Sequence, residues 1–119
     1  MSDISEGVKL FNNCQFFEAH DFFEELWKVA ESKNRLFFQA MVQVSVGSYH
    51  LVNRNYKGAI SQFKKAEKKF FNYNPVYFEV DIDDILNKIS AILQILENNE
   101  KEFEKITNIN LPVIAYFNK

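Results

Sequence analysis

The chain has 119 residues, of which 47% are hydrophobic and 25% are charged, a composition that excludes a disordered chain. Its three glycines and two prolines make a turn-rich β-sandwich a poor candidate. The formal net charge is −2, so the chain lacks the basic footprint of a nucleic-acid-binding protein. We therefore expect one domain over residues 1–119 that binds no nucleic acid.

Features of the N-terminus and the apolar runs bear on location. Residues 1–6 lack the basic-then-apolar order of a signal peptide. No apolar run approaches the ~18 residues that a membrane span needs. The single cysteine, Cys14, cannot form an internal disulfide, which suits a reducing compartment. These features predict a cytoplasmic protein that does not enter a membrane.

Hydrophobic periodicity predicts an all-α fold, a compact bundle of about five helices. Asp3 and Glu6 form a capping-box pattern, which predicts a short first helix that runs to residue 10 or 11. Apolar residues recur every three or four positions over residues 16–30, as in an amphipathic second helix. The polar residues 32–34 are predicted to form a loop.

The third predicted helix covers residues 35–53 and has apolar side chains in nearly every direction around its axis. A helix of this kind is expected to be buried at the centre of its domain. A fourth amphipathic helix is predicted over residues 56–71. Its lysines are expected to form a solvated face: Lys57, Lys64, Lys65, Lys68 and Lys69.

The C-terminal part is predicted to contain one long helix and an apolar tail. Residues 76–80 alternate in polarity for too few positions to found a sheet, so an extended connector is expected there. Asp81 and Asp84 predict the start of the long helix. Its predicted apolar stripe comprises Ile82, Ile85, Leu86, Ile89, Ile92, Leu93, Leu96 and Phe103. The tail, residues 109–117, is too hydrophobic to remain in water, so it should pack against the domain or against a second copy. We favour a two-fold homodimer.

Two segments repeat at an offset of 40 residues, because residues 13–16 align with residues 53–56 and Ala19 aligns with Ala59. The second copy resembles the second helix of a tetratricopeptide unit. Two copies are too few for a stable array of such units. We therefore expect a tetratricopeptide-like helical hairpin inside a compact bundle.

Polar residues of the second and third helices form the candidate site. At 100° per residue, His20 lies in the apolar stripe of the second helix, and Glu24 lies one turn away. Gln39, Gln43 and His50 share one seam of the apolar third helix. Buried polar groups need partners, so these five side chains are predicted to converge within hydrogen-bonding reach, directly or through one water.

Two interpretations of this cluster remain open. It is either a structural network that fixes helix register, or a ligand or metal site. His20, Glu24 and His50 are suitable ligands, but glutamine is a poor zinc ligand and the HExxH spacing is missing, so we assign no metal ligands and no cofactor. We do not expect Cys14 to be catalytic, since no base is placed beside it by the sequence.

Trp27 lies on the same stripe as His20. We expect its indole to be largely buried with a hydrogen-bonded N–H, so that Trp27→Ala costs about 3–5 kcal/mol.

Two blocks of the sequence carry a resemblance to a known family. The first comprises Glu6-Gly7-Val8-Lys9-Leu10-Phe11-Asn12 and Phe17-Glu18-Ala19-His20-Asp21-Phe22-Phe23-Glu24-Glu25-Leu26-Trp27. The second comprises Phe38-Gln39-Ala40-Met41-Val42-Gln43, Tyr49-His50, Asn55 and Gly58-Ala59. Together they resemble the uncharacterised helical family called domain of unknown function 309, which usually has glycine at the position of Cys14. The resemblance implies a compact all-α fold and no activity. It also implies these motif positions: Glu18, His20, Asp21, Glu24, Trp27, Gln39, Gln43 and His50.

The sequence thus predicts an uncharacterised small helical protein of the cytoplasm. It is interpreted as a binding or interaction module with a buried His/Glu/Gln cluster, whose partner is an unknown protein or small-molecule ligand. The alternative is a small hydrolase-like or metal-assisted enzyme that uses His20, Glu24 and His50. Whether the protein is an enzyme is left open.

Overall fold

The computed structural model describes residues 3–117 and confirms an all-α bundle. Its five helices are α1 (Ser5–Asn12), α2 (Phe16–Val29), α3 (Ser32–Val52), α4 (Tyr56–Phe70) and α5 (Ile82–Asn98). A small antiparallel hairpin, β1 (Val76–Tyr77) and β2 (Val80–Asp81), precedes α5. Short 3-10 turns cover Phe71–Tyr73 and Phe103–Lys105. Within residues 3–117, no helix combines the length and the apolarity that crossing a membrane requires.

The predicted boundaries at the first and third helices are wrong. Helix α1 is preceded by Ile4, which is buried in the core, and Asp3 accepts a hydrogen bond from the Ser5 N–H at 2.9 Å instead of closing a capping box with Glu6. Residues 32–34 form the polar first turn of α3 and not a loop. A polar first helical turn has the composition of a loop, so periodicity alone did not identify it.

Two helix ends with the same geometry account for the repeat at an offset of 40 residues. Cys14 follows α1 with a φ of 63°, and Arg54 follows α3 with a φ of 60°. At both ends, this left-handed residue and the next one donate their N–H groups to carbonyls three and five residues back. This is the Schellman motif, in which glycine is the usual left-handed residue. The tetratricopeptide-like character of the predicted helical hairpin stays a prediction.

Replacing Cys14 with glycine is expected to raise the free energy of unfolding by about 0.5–1 kcal/mol. A side chain in the left-handed region costs about 1–2 kcal/mol, and the greater freedom of glycine in the unfolded chain removes part of that gain. Cys14→Ser, which keeps the Cβ atom and removes the thiol, is the control and should leave stability nearly unchanged. Urea unfolding measures both. Equal stability of the glycine and serine variants would contradict the assignment.

Helix α3 lies between α2 and α4 and supplies much of the core. Its packing against α4 requires Gly47, where a Cβ atom would lie 2.9 Å from Cδ1 of the buried Phe63. The expectation that α3 is buried on all sides is wrong, because Tyr49 is exposed and Gln39, Val42 and Val46, which share its side of the helix at 100° per residue, are only partly buried. One side of this central helix therefore faces solvent between its two neighbours.

The C-terminal tail packs on its own chain. Val80 forms a β-bridge with Tyr116, and the Asp81 N–H donates to the Ala115 carbonyl at 2.9 Å. The Asn12 side chain accepts from the Ile114 N–H at 2.8 Å and donates to the Ile114 carbonyl at 3.0 Å. The tail is thus held by its own chain, although Val113 and Phe117 remain exposed, and the homodimer stays a prediction.

The hairpin replaces the extended connector predicted at residues 76–80. Its turn residues, Phe78 and Glu79, have φ values of 49° and 63°, which is the backbone of a tight two-residue hairpin turn. These residue types are unusual in such a turn, so the turn could not be predicted from them. The Phe78 ring stacks on Phe37 with 5.3 Å between centroids, and this contact anchors the turn.

The start and the apolar stripe of α5 agree with the prediction. The Asp81 carboxylate accepts from the Asp84 N–H at 2.9 Å and caps the helix. The helix ends at Asn98, so Phe103, which was placed on its stripe, lies beyond it and packs against Tyr56. The other stripe residues are buried: Ile82, Ile85, Leu86, Ile89, Ile92, Leu93 and Leu96.

Candidate functional site

A cluster of one histidine and two carboxylates lies on α2. His20 Nδ1 is 3.3 Å from an oxygen of Asp21, and His20 Nε2 is 3.7 Å from an oxygen of Glu24. One potential ligand atom from each residue lies within 4.8 Å of the other two. Imidazole nitrogen and carboxylate oxygen are the ligands that zinc and similar divalent metals accept. We call His20, Asp21 and Glu24 the α2 cluster.

The environment of the α2 cluster combines solvent access with an apolar support. The side chain of His20 is 23% exposed, whereas those of Asp21 and Glu24 are 59% and 41% exposed. The Phe17 ring packs edge-on against the imidazole at 5.5 Å between centroids, and Tyr49 of α3 packs against Phe17 at 5.8 Å. The aromatic contacts position the histidine while the carboxylates remain open to water.

The structure brings together only two of the five side chains that were predicted to converge, His20 and Glu24. Within residues 3–117, no hydrogen bond or ion pair joins either of them to Gln39, Gln43 or His50. The five side chains therefore do not form one directly hydrogen-bonded cluster, and a contact through water stays a prediction.

His50 lies on the side of α3 that faces α4. The Asn55 amide donates to His50 Nδ1 at 3.2 Å, and the same side chain accepts from the Gly58 N–H at 3.1 Å. A Cβ atom at Gly58 would lie 3.0 Å from His50 Cδ2. His50 is thus held by the cap of the next helix, and the seam with Gln39 and Gln43 did not reveal this partner because Asn55 lies beyond α3.

The remaining motif residues have separate environments. Gln39 and Gln43 are half-buried on the solvent side of α3, and Oε1 of Gln43 is a buried atom without a partner in the described part of the chain. Glu18 is exposed and accepts from the Gln15 side chain at 3.5 Å. Among the His, Cys, Asp and Glu side chains of residues 3–117, Glu18 does not join the α2 cluster.

Trp27 is partly buried and packs against the core, so its indole is neither solvent-exposed nor fully enclosed. The Arg35 guanidinium lies over its ring, 4.9 Å from the centroid, and covers the outer face. Among the hydrogen bonds of residues 3–117, none involves the indole N–H. The ring lies at the edge of the core, where Arg35 contacts the ring face that apolar side chains leave uncovered.

Trp27→Ala is accordingly expected to cost about 2 kcal/mol, below the range for a fully buried aromatic ring. Arg35→Ala should cost about 0.5–1 kcal/mol through loss of the cation–π contact, and it should shift the tryptophan fluorescence maximum to longer wavelength. Urea unfolding monitored by fluorescence measures both effects. A loss of 4 kcal/mol or more on Trp27→Ala, at the level of full burial, would contradict this position at the edge.

Asp21 is the member of the α2 cluster for which periodicity gave no signal. Adjacent side chains on a helix do not normally face each other, so a projection at 100° per residue pairs His20 with Glu24 and omits Asp21. The resemblance to a known family did include Asp21 among its motif positions. The contact forms because His20 Nδ1 is the ring nitrogen near the backbone, within reach of the short aspartate side chain.

Comparisons with known proteins agree with the resemblance in the sequence. A comparison with curated proteins finds none that matches the chain. The family model described as "Domain of unknown function (DUF309)" matches residues 4–62, which include α1, α2, α3 and the α2 cluster. On the basis of these residues, the chain belongs to the DUF309 family, an uncharacterised family.

Proposed function

We propose that the protein is a small binding module and that its α2 cluster binds a divalent transition-metal cation such as Zn²⁺. The observation that supports this function is that potential ligand atoms of His20, Asp21 and Glu24 lie within 4.8 Å of one another. No metal site was predicted from the sequence, because glutamine is a poor zinc ligand and the HExxH spacing is missing. In the structure, Asp21 supplies the third potential ligand beside His20 and Glu24.

The residue types favour a transition metal over Mg²⁺ or Ca²⁺. The latter two prefer oxygen ligands, whereas imidazole suits zinc, copper and nickel. Three protein ligands also leave a coordination position for water or for a second ligand. Because the carboxylates of the α2 cluster are exposed, a second ligand has access to that position.

Binding is better supported than catalysis. The alternative enzyme needs His50 beside His20 and Glu24, but Asn55 holds His50 at the start of α4. A general acid or base must lie within hydrogen-bonding reach of the reacting group. The hydrolase-like function therefore lacks one of its three residues, and we propose a non-catalytic role. A cytoplasmic location is part of this proposal and is supported by the single free cysteine, Cys14.

The test is a calorimetric titration of Zn²⁺ into the Cys14→Ser variant, which removes the exposed thiol as a competing ligand. We expect one ion per chain. His20→Gln and Glu24→Gln should each weaken the affinity at least tenfold, the effect of losing one ligand. His50→Gln is the matched control, because it removes the other histidine and should bind like its parent. No binding by the parent, or equal losses in the two histidine variants, would contradict the proposal.

A further inference from the structure

One broad face of the bundle is open to solvent. It is formed by α2, α3 and α4, with α3 in the middle. The exposed rings of Phe17 and Tyr49 touch on it, and Val42 and Val46 continue the apolar surface along α3. We call this surface the open face.

The two edges of the open face carry opposite charge. On the α2 edge, Asp21 and Glu24 form no ion pair with a lysine or an arginine within residues 3–117. Nearby Lys28 pairs with Glu25, which raises the pKa of Lys28, and the charges of Glu24 and Asp21 help to raise it. On the α4 edge, Lys65 and Lys69 follow Gly58 at helical spacing, and neither forms an ion pair in the same range.

The lysine edge is crowded with positive charge. Partial burial lowers the pKa of Lys69, and the positive charges of Lys65 and Lys68 lower it further. Lys64, which points to α5, is different because it pairs with Glu97 at 2.7 Å. A carboxylate brought to Lys65 and Lys69 would therefore relieve a repulsion that the isolated chain retains.

The alignment of the three helices follows from two contacts. Short connections make α2 and α4 antiparallel to α3. On one side Phe17 packs against Tyr49, and on the other side Phe63 lies against Gly47. Each residue of α2 and α4 therefore has a defined height, meaning its position along the α3 axis, counted from the contact that its helix makes with α3.

The opposite charges lie at matching heights. Counted at about 1.5 Å per residue from those contacts, Asp21 and Lys65 are level, and Glu24 and Lys69 differ by about one residue. Two copies can meet through their open faces about a two-fold axis parallel to α3. In that arrangement α2 of one copy lies over α4 of the other, and every residue keeps its position along the axis. Asp21 and Glu24 of each copy then oppose Lys65 and Lys69 of the other, twice in the pair.

The open face is also large enough for a dimer. Helix α3 is about 30 Å long, and three helices at about 9 Å spacing give a width of about 20 Å. The resulting ~600 Å² per copy, roughly 1,200 Å² in total, lies at the lower end of the range of specific interfaces. The exposed aromatic pair of Phe17 and Tyr49 supplies apolar contacts within it.

We infer that the open face binds a second copy of this chain in a two-fold dimer in which the acidic edge of each α2 meets the lysine edge of the other α4. This inference does not depend on metal binding. A cation at the α2 cluster would use the same carboxylates, so the dimer is tested with EDTA present.

The experiment is analytical ultracentrifugation of two charge-reversed variants, Asp21→Lys/Glu24→Lys and Lys65→Glu/Lys69→Glu. The unchanged chain should dimerise, with a mass twice its 14.0 kDa. The dimer dissociation constant of each variant alone should be at least tenfold higher. An equimolar mixture should dimerise again, because each interface then pairs opposite charges. Circular dichroism confirms that the variants remain helical.

A matched control reverses charges on α1, away from the open face, with Glu6→Lys/Lys9→Glu. This variant should dimerise like the unchanged chain. A strictly monomeric unchanged chain would overturn the inference. So would a mixture that dimerises no better than its separate components, since this would show that the two edges do not meet.

Discussion

Replacing Phe37 with alanine is expected to lower the free energy of unfolding by about 3–5 kcal/mol, the cost of removing a fully buried aromatic ring. The Phe37 ring has no exposed surface and joins α3 to the C-terminal part of the fold. It contacts the rings of Phe70, at 6.4 Å, and Phe78, at 5.3 Å between centroids. Urea unfolding should show this loss together with weaker protection of the hairpin in hydrogen exchange.

Phe71→Ala is the matched control for this prediction. It removes the same ring from a side chain that is 60% exposed, immediately after α4. Its cost should stay within about 0.5 kcal/mol, as for most surface substitutions. Similar losses of stability for Phe37→Ala and Phe71→Ala would mean that the Phe37 ring contacts do not hold α3 and the hairpin together.

Gly47→Val is expected to cost about 3 kcal/mol, at the upper end of the range for overpacked cores. A Cβ atom at Gly47 already lies 2.9 Å from Phe63, and valine adds two methyl groups at this contact between α3 and α4. Because small domains are stable by only about 5–15 kcal/mol, this loss removes a large fraction of the free energy of unfolding and should lower the melting temperature by roughly 10 °C. Thermal unfolding followed by circular dichroism measures the effect.

Two further variants separate the steric clash from the poor helix propensity of valine. Ser61→Val places valine on the exposed side of α4 and should cost only a few tenths of a kcal/mol, its propensity penalty. Phe63→Leu in the Gly47→Val background should recover stability relative to the sum of the single losses, because the smaller side chain makes room. Strict additivity would show that the two residues do not touch.

The helices could be predicted from the sequence because each buries a clear stripe of apolar residues. The α5 stripe is the best example, since its start at Asp81 and its buried residues agree with the structure. The start of α3 could not be predicted, because Ser32 and its neighbours are polar and exposed in either a loop or a first helical turn. The hairpin could not be predicted either, since Phe78 takes a left-handed backbone that its tertiary contact with Phe37 stabilises.

The candidate site could be predicted only where its members lie on one helix. The spacing of His20 and Glu24 on α2 correctly predicted that they contact each other. Placing His50 correctly would have required knowing how α3 is rotated between α2 and α4. That rotation depends on close packing at Gly47 and on the cap at Asn55, which are tertiary features. Periodicity places a residue on its own helix and leaves open which neighbour that side of the helix meets.

The measurement that tests the metal site most directly is the NMR spectrum of the imidazole ring nitrogens during a titration with Zn²⁺. The protein has two histidines, so His50 is an internal control for His20 in every spectrum. A ring nitrogen of His20 should shift strongly up to one equivalent of Zn²⁺, while the signals of both His50 nitrogens should stay at their positions. Unchanged His20 signals, or equal shifts of the two histidines, would contradict a metal site at the α2 cluster.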